Sequence, residues 1–179
     1  PETFLLAASQ LYVETKEYED AEKVVKKGLE TLPDSESMHF QLGAIYERQE
    51  KYSNAEESFK KVLEKNPEHP GVLNYFGYML AERGQRLEEA LAYVKKAVEL
   101  DPHNGAYLDS LGWVYFQLKQ YVPAELYLKQ AAEIIDDDPT IMEHLGDLYR
   151  KLERYGEAGE YYEKSLAQSK ENEEKKRIE

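Results

Sequence analysis

The chain has 179 residues, and its 23 Lys and Arg against 36 Asp and Glu give a formal net charge of -13. It contains no cysteine, which excludes disulfide bonds, thiolate metal sites and a cysteine nucleophile. The excess of acidic residues argues against nucleic acid as a partner. No window holds the roughly 18–20 uncharged apolar residues that a transmembrane helix requires, so direct insertion into a membrane is not expected.

An internal repeat of 34 or 35 residues runs along the chain. Its most regular members are five alanines, Ala21, Ala55, Ala90, Ala124 and Ala158. Small residues precede them in the same order, as Ser9, Gly43, Gly77, Gly112 and Gly146. This repeat divides the chain into five units, 2–35, 36–69, 70–104, 105–138 and 139–172, followed by residues 173–179.

Each unit predicts two short amphipathic helices joined by a tight turn. In chain order, the predicted turns lie at residues 15–18, 49–52, 83–86, 118–121 and 152–155. The extra residue of the third unit falls in its turn, where an insertion costs little. In the fourth unit, apolar residues at helical spacing predict helices over residues 106–119 and 122–135.

Glycine within the first helix of four units indicates close helix packing. Gly inside a helix costs about 1 kcal/mol relative to Ala, so these positions are expected where two helix axes approach to about 8–10 Å. The tyrosine three residues later, as in Gly112 and Tyr115, is expected to fill the remaining gap.

The two ends of the chain differ in polarity. The segment Phe4–Ala8 is too apolar for the free end of a helical repeat array, so we expect further repeats before it or a second copy against it. Residues 168–177 are almost entirely polar and predict a helix extension exposed to solvent, with the end of the array nearby.

The repeat resembles the tetratricopeptide repeat (TPR) family over nearly the whole chain. The family's Leu-Gly-x-x-Tyr, Ala-x-x-x-Phe and Pro positions are matched by Leu42-Gly43, Tyr46, Ala55, Phe59 and Pro67. The resemblance implies an all-α, right-handed α-solenoid of five TPR helix-turn-helix repeats plus a C-terminal polar helix extension. Residues 104–113 also resemble a segment common in bacterial TPR arrays, which implies a bacterial source.

No pattern in the chain predicts catalysis, a metal ion or a cofactor. The four histidines lack metal-ligand spacing and are all expected on the surface: His39, His69, His103 and His144. The run Asp136–Asp138 lacks the turn glycine and alternating ligands of a calcium loop. Followed by Pro139, it predicts a helix stop and then an N-cap. A non-catalytic function is therefore favoured.

TPR proteins bind peptides or partner helices in a concave groove lined by fixed positions of the first helices. Those positions imply a groove here that includes Phe40, Asn74, Tyr78, Asp109, Trp113, Phe116, Gln117, Glu143, Asp147 and Arg150. Tyr78 and Trp113 occupy the same position in adjacent repeats, and exposed aromatic residues carry much of the energy at interfaces. The alternative is that Trp113 and Phe116 pack against the neighbouring repeat.

The ligand chemistry follows from the charges at those positions. Chaperone-binding TPR domains clamp a C-terminal carboxylate with Lys, Arg and Asn at fixed positions of the first helices. Here the second and fifth residues of every unit, which are two of these positions, include no Lys or Arg. Asp109, Glu143 and Asp147 favour a protein or peptide ligand that is apolar and carries basic groups.

Three classes of function remain open at this point. A protein-protein interaction module or scaffold with a ligand in the groove is favoured. The alternative is an architectural segment that forms a homodimer through its apolar N-terminal repeat. An enzyme has no supporting residue pattern, and the compartment, cytoplasmic or periplasmic, is open.

Overall fold

The computed structural model describes residues 2–178, and the side chains of residues 2–170. In that part of the chain the secondary structure is helical without a strand, which confirms the all-α prediction. The helices are α1 (Glu2–Glu14), α2 (Tyr18–Thr31), α3 (Glu36–Arg48), α4 (Tyr52–Lys65), α5 (Pro70–Glu82), α6 (Leu87–Leu100), α7 (Gly105–Gln117), α8 (Tyr121–Ile134), α9 (Pro139–Lys151) and α10 (Tyr155–Ile178). Each odd-numbered helix is joined to the next by three or four residues, so the two helices of a pair run antiparallel.

The turn within a pair depends on a residue in the left-handed conformation. This residue has a φ of 62° at Lys16, 58° at Glu50, 60° at Lys119 and 60° at Glu153. After Lys119, the Gln120 N–H donates to the Tyr115 carbonyl at 2.9 Å, which closes the helix in a Schellman motif. In the third pair Gly84 takes the left-handed conformation, and the longer turn adds a second such residue, Arg86.

The helices of a pair approach closely at the repeated glycine. A Cβ atom added at Gly43 would lie 2.4 Å from Phe59, and one added at Gly112 would lie 2.6 Å from Leu128. These distances are too short for any side chain to be tolerated without movement, which is the close packing that the glycine spacing predicts.

Three of the first helices, α3, α7 and α9, have an N-cap side chain that accepts a hydrogen bond from a main-chain N–H of the first turn. The caps are Ser35 to the Met38 N–H at 3.0 Å, Asn104 to the Tyr107 N–H at 3.2 Å and Asp138 to the Thr140 N–H at 2.7 Å. The N-cap predicted before Pro139 is therefore present.

The chain forms two compact units, Pro1–Val72 and Leu73–Glu179. Fully buried side chains of the first unit include Val25, Met38, Ile45 and Phe59, and those of the second include Phe76, Leu111, Leu128 and Tyr149. In each unit the buried residues come from both helices of a pair, as the amphipathic pattern predicts. A polar extension is predicted at residues 173–179, and its side chains are not among those that the structure describes.

Candidate protein-binding site

Four aromatic rings from three first helices meet in the second unit. They are Tyr78 on α5, Trp113 and Phe116 on α7 and His144 on α9, and we call them the aromatic cluster. The Trp113 ring stacks on His144 at a centroid distance of 4.1 Å and on Phe116 at 4.8 Å, both at 15°. The Tyr78 ring lies 6.2 Å from His144 and is tilted by 43°. The cluster therefore connects the first helices of three successive repeats.

The members of the aromatic cluster differ in exposure. Trp113 is 8% exposed and His144 is 5% exposed, whereas Tyr78 and Phe116 are half-buried. Trp113 is expected from the sequence to be an exposed aromatic residue of the groove, but it is buried. The alternative, packing against the neighbouring repeat, is what its stack on His144 shows. Phe116 and Tyr78 keep part of their surface open to solvent.

His144 forms a buried pair with Asp109. Nδ1 of His144 lies 2.9 Å from Oδ1 of Asp109 on α7, and Asp109 is 7% exposed. Burial lowers the pKa of His144. The hydrogen bond and the charge of Asp109, together with the charges of Glu82 and Asp147, outweigh this effect and raise the pKa above its ordinary value. In its protonated state His144 makes this contact an ion pair.

The prediction that His144 lies on the surface is wrong. Its position on α9 faces α7, where Asp109 supplies a partner that only the stacking of two repeats brings into reach. The signal in the sequence is the separation of 35 residues, one repeat plus one residue, between an Asp and a His. His39 and His69 are half-buried, and only His103 is exposed as expected.

Three carboxylates lie on helices that supply the aromatic cluster, and we call them its rim: Glu82 on α5, and Glu143 and Asp147 on α9. Glu82 and Glu143 are exposed, and Asp147 is half-buried. Asp147 accepts hydrogen bonds from the Tyr162 hydroxyl at 2.7 Å and from Nη2 of the exposed Arg150 at 3.1 Å. The rim therefore offers negative charge beside apolar surface, with Arg150 already engaged.

Two polar atoms of the predicted groove residues have no hydrogen-bond partner. They are Nε1 of Trp113, a donor, and Oδ1 of Asn74, an acceptor, and both are buried. An unmet buried donor or acceptor costs about 1–3 kcal/mol. The main chain of a bound peptide carries both an N–H donor and a carbonyl acceptor. Because both atoms are buried, a peptide can reach either of them only if neighbouring groups move.

The other predicted groove residues are placed separately. Gln117 is half-buried at the end of α7, beside Phe116 in sequence. Phe40 lies on α3 in the first unit, where its ring is 6.1 Å from Phe59 and 5.9 Å from His69. The aromatic cluster is built from residues of the second unit alone.

Neither a metal site nor a membrane-spanning helix occurs in the described part of the chain. Among the described residues, no group of three His, Asp or Glu side chains is arranged to hold a metal ion. No helix within the same residues has both the length and the apolar character needed to cross a bilayer.

Paired antiparallel helices that recur every 34 or 35 residues define an α-helical repeat protein. One tetratricopeptide repeat model matches residues 6–70, 40–105 and 79–139, and a second matches residues 141–176. The chain belongs to the tetratricopeptide repeat family. Proteins of this family generally act as non-catalytic modules that bind other proteins.

A curated relative matches part of the chain. TPR repeat-containing protein PA4667 of Pseudomonas aeruginosa is 27% identical over 107 residues, which cover 60% of this chain and 18% of that protein. The chain thus matches less than a fifth of that relative's length.

Solved structures confirm the helical-repeat solenoid as the fold class. Pseudomonas aeruginosa PilF superposes with a TM-score of 0.78 at 25% identity, covering 93% of this chain and 75% of its own. PilW, a widely conserved type IV pilus biogenesis factor, gives 0.84 at 23% identity, with 94% and 77% covered. A thermophilic TPR protein of Thermus thermophilus, TTC0263, gives 0.82 at 25% identity, with 94% and 91% covered.

Proposed function

We propose that the chain is a non-catalytic interaction module or scaffold that holds a partner peptide or helix against the aromatic cluster. The observation that carries this proposal is that Tyr78 and Phe116 are half-exposed while each contacts one ring of the buried stack of His144 and Trp113. Aromatic side chains held by rigid helices lose little conformational freedom on binding, so they favour tight contact with a partner.

The rim charges favour a partner that carries basic groups next to apolar ones. Glu82, Glu143 and Asp147 lie on the helices that supply the cluster, and the whole chain carries a formal net charge of -13. Like-charge repulsion disfavours an acidic ligand at this surface, whereas Arg or Lys of a partner gains from the same charges.

Selection of short random peptides displayed against the immobilised chain tests the proposal. We expect enriched peptides that combine aromatic or aliphatic residues with Arg or Lys. The affinity of a selected peptide should fall by about tenfold in Phe116→Ala and in Tyr78→Ala, since each removes an anchor of the kind that dominates interface energies. The affinity is measured by calorimetry.

Matched controls come from the second helix of the fourth repeat. Val122 and Leu126 on α8 are 84% and 53% exposed, so Val122→Ala and Leu126→Ala remove apolar surface away from the aromatic cluster. These two variants should bind the selected peptide as the unmodified chain does. An equal loss in the controls, or full binding by Phe116→Ala and Tyr78→Ala, would contradict the proposed site.

Self-association through α1 is the second candidate function. It is favoured by the exposure of Phe4 (69%) and Leu11 (62%) on this helix. If α1 is the contact, sedimentation equilibrium should show a dimer that dissociates in the double variant Phe4→Glu/Leu11→Glu. A monomer at all concentrations would exclude this candidate and leave the peptide-binding proposal intact.

A further inference from the structure

The outer face of α1 is uncovered, whereas the equivalent face of the later first helices is buried. On α1, Phe4 is 69% exposed and Leu11 is 62% exposed. The residues one repeat later, Met38 and Ile45 on α3, are both 0% exposed. The equivalent residues of α9 are buried to the same degree. The helix α1 therefore presents to solvent an apolar surface that the repeat elsewhere buries.

In the second repeat this face is covered by the second helix of the repeat before it. A Cβ atom added at Gly28 on α2 would lie 2.6 Å from Met38, so Met38 packs directly on the main chain of Gly28. In the fourth repeat Ala131, which is 0% exposed, occupies the position of Gly28. Because Phe4 is larger than Met38, a helix that covers α1 needs a small residue at the same position.

A lysine of the covering helix lies over the repeated tyrosine of the next repeat. Nζ of Lys26 on α2 lies 5.6 Å from the centroid of the Tyr46 ring, and Nζ of Lys129 on α8 lies 5.9 Å from that of Tyr149. A cation over the face of an aromatic ring is attracted by it. The equivalent tyrosine of the first repeat, Tyr12, is 36% exposed, so a lysine of a partner can reach its ring.

One charge differs between α1 and the later repeats. Lys51 pairs with Glu22 of the covering helix at 3.0 Å, and Arg154 pairs with Glu125 in the same way at 3.3 Å. The equivalent residue of the first repeat is Glu17, which is exposed. A covering helix with a glutamate at the position of Glu22 would therefore meet a like charge, whereas Lys or Arg at this position would be attracted.

We propose that the outer face of α1 binds one amphipathic helix of a partner protein. This helix carries Lys or Arg opposite Glu17, a Lys four residues later over Tyr12, and Gly or Ala two residues after that against Phe4, which is the spacing of residues 22, 26 and 28 on α2. The inference goes beyond the proposed function, because it gives the first unit an interaction surface of its own, apart from the aromatic cluster.

A second copy of the chain does not supply such a helix. The second helices α2, α6 and α8 already pack against the next first helix of the same chain. On α10, Ser165 matches the small residue, but Glu163 stands at the position of Lys26. A second copy docked through α10 would thus place a carboxylate over the Tyr12 ring and beside Glu17, where both repel it.

A helical peptide with the sequence of α2 and the change Glu22→Lys is the probe. A lactam between Glu19 and Lys23, which are both exposed in the chain, holds the peptide in a helix. One control peptide keeps Glu22, and a second combines Glu22→Lys with Gly28→Leu. Each peptide carries a fluorescent label, and its binding to the full chain is measured by anisotropy.

The apolar contacts are tested first. Gly28→Leu in the peptide should weaken binding by about tenfold or more, because the added side chain occupies the space that Phe4 needs. Phe4→Ala and Leu11→Ala in the chain should each weaken binding of the probe by about fivefold to tenfold. Since both residues are exposed, these variants should melt as the unmodified chain does. Phe116→Ala, which alters the aromatic cluster, should bind the probe unchanged.

A charge reversal then tests the position of the helix. The probe should bind about threefold more tightly than the control peptide that keeps Glu22. In the chain variant Glu17→Lys this order should invert. Glu57→Lys on α4 makes the same change of net charge at a side chain that is 68% exposed, and it should leave the order as it is.

Several results would overturn the inference. Absence of probe binding, or binding that Phe4→Ala and Leu11→Ala leave intact, would remove α1 as the docking surface. An order of the two peptides that stays the same in Glu17→Lys would remove the basic helix. A dimer of the unmodified chain that Phe4→Glu/Leu11→Glu dissociates would assign this face to a second copy. In every case the proposed function is judged separately, by whether display selection yields peptides that need Phe116 and Tyr78.

Discussion

The Tyr149 hydroxyl of α9 donates a 2.8 Å hydrogen bond to Oε1 of Glu125, which lies on α8 in the preceding repeat. Glu125 also bonds to Lys129 at 2.9 Å and to Arg154 at 3.3 Å. Tyr149 occupies the repeated tyrosine position three residues after Gly146. This tyrosine therefore bonds its own repeat to the one before it, whereas the atoms nearest to a Cβ added at Gly146 belong to Tyr162.

Removal of that hydroxyl should destabilise the second unit. Burial, followed by the hydrogen bond to Glu125, raises the pKa of Tyr149 to about 12, so its protonated form is favoured in the folded state. Tyr149→Phe should lower the free energy of unfolding by about 1 kcal/mol, as measured by urea denaturation. Tyr155→Phe is the control, because Tyr155 is 67% exposed, and it should change the free energy of unfolding little.

The same contact predicts how stability changes in alkaline solution. A raised folded-state pKa gives stability that is complete below the unfolded value near 10 and is lost as the pH rises to about 12. The melting temperature of the unmodified chain should therefore fall more steeply over this range than that of Tyr149→Phe. Parallel curves for the two proteins would show that the hydroxyl contributes nothing to the alkaline transition.

In the first unit, Glu22 predicts the response to acid. Although its burial raises the pKa, hydrogen bonds from Lys26 at 2.6 Å and Lys51 at 3.0 Å outweigh that effect and hold the pKa at about 2. A lowered folded-state pKa gives stability that is present above about pH 4.5 and is lost as the pH falls towards 2.

The variant Glu22→Gln tests this response. It should cost about 1–2 kcal/mol at neutral pH, a figure reduced from the full pKa shift because Lys26 and Lys51 are partly exposed. It should also show a smaller loss of stability between pH 4.5 and pH 2 than the unmodified chain. The control is Glu57→Gln, whose side chain is 68% exposed, and equal acid profiles for all three proteins would contradict the assignment.

Glycines in helical segments should respond to alanine in opposite directions. A Cβ at Gly112 would lie 2.6 Å from Leu128 Cγ and 3.0 Å from its main-chain nitrogen, so neither can yield easily. Gly112→Ala should lower the free energy of unfolding by about 1–3 kcal/mol. Gly156 on α10 has no atom within 4 Å of an added Cβ, so Gly156→Ala should instead stabilise by about 0.5–1 kcal/mol. Urea denaturation of the two variants measures both signs.

Interactions that recur in every repeat can be predicted from this sequence, whereas a contact that occurs once between two repeats cannot. The close packing at Gly112 can be predicted from the sequence because this glycine position repeats every 34 or 35 residues and depends on one helix pair. The contact of His144 with Asp109 occurs at one position of one repeat, so no periodicity marks it. The repeat pattern shows that Trp113 and Tyr78 occupy equivalent positions. It does not show that Trp113 is buried, because this burial depends on His144, which only the stacking of the helices brings against Trp113.

Lys119 ends α7 in a conformation that favours glycine. Its φ of 60° places an L side chain in the left-handed region, which costs about 1–2 kcal/mol, whereas the third repeat uses Gly84 for the same role. Lys119→Gly keeps the 2.9 Å bond of the following Gln120 N–H to Tyr115 and relieves that cost, partly offset by a more flexible unfolded chain. We expect a net gain of about 0.5–1 kcal/mol in urea denaturation. The reverse change, Gly84→Ala, should destabilise although no atom lies within 4 Å of the added Cβ. Were Lys119→Gly to destabilise as Gly84→Ala does, chain flexibility and not the left-handed conformation would govern these turns.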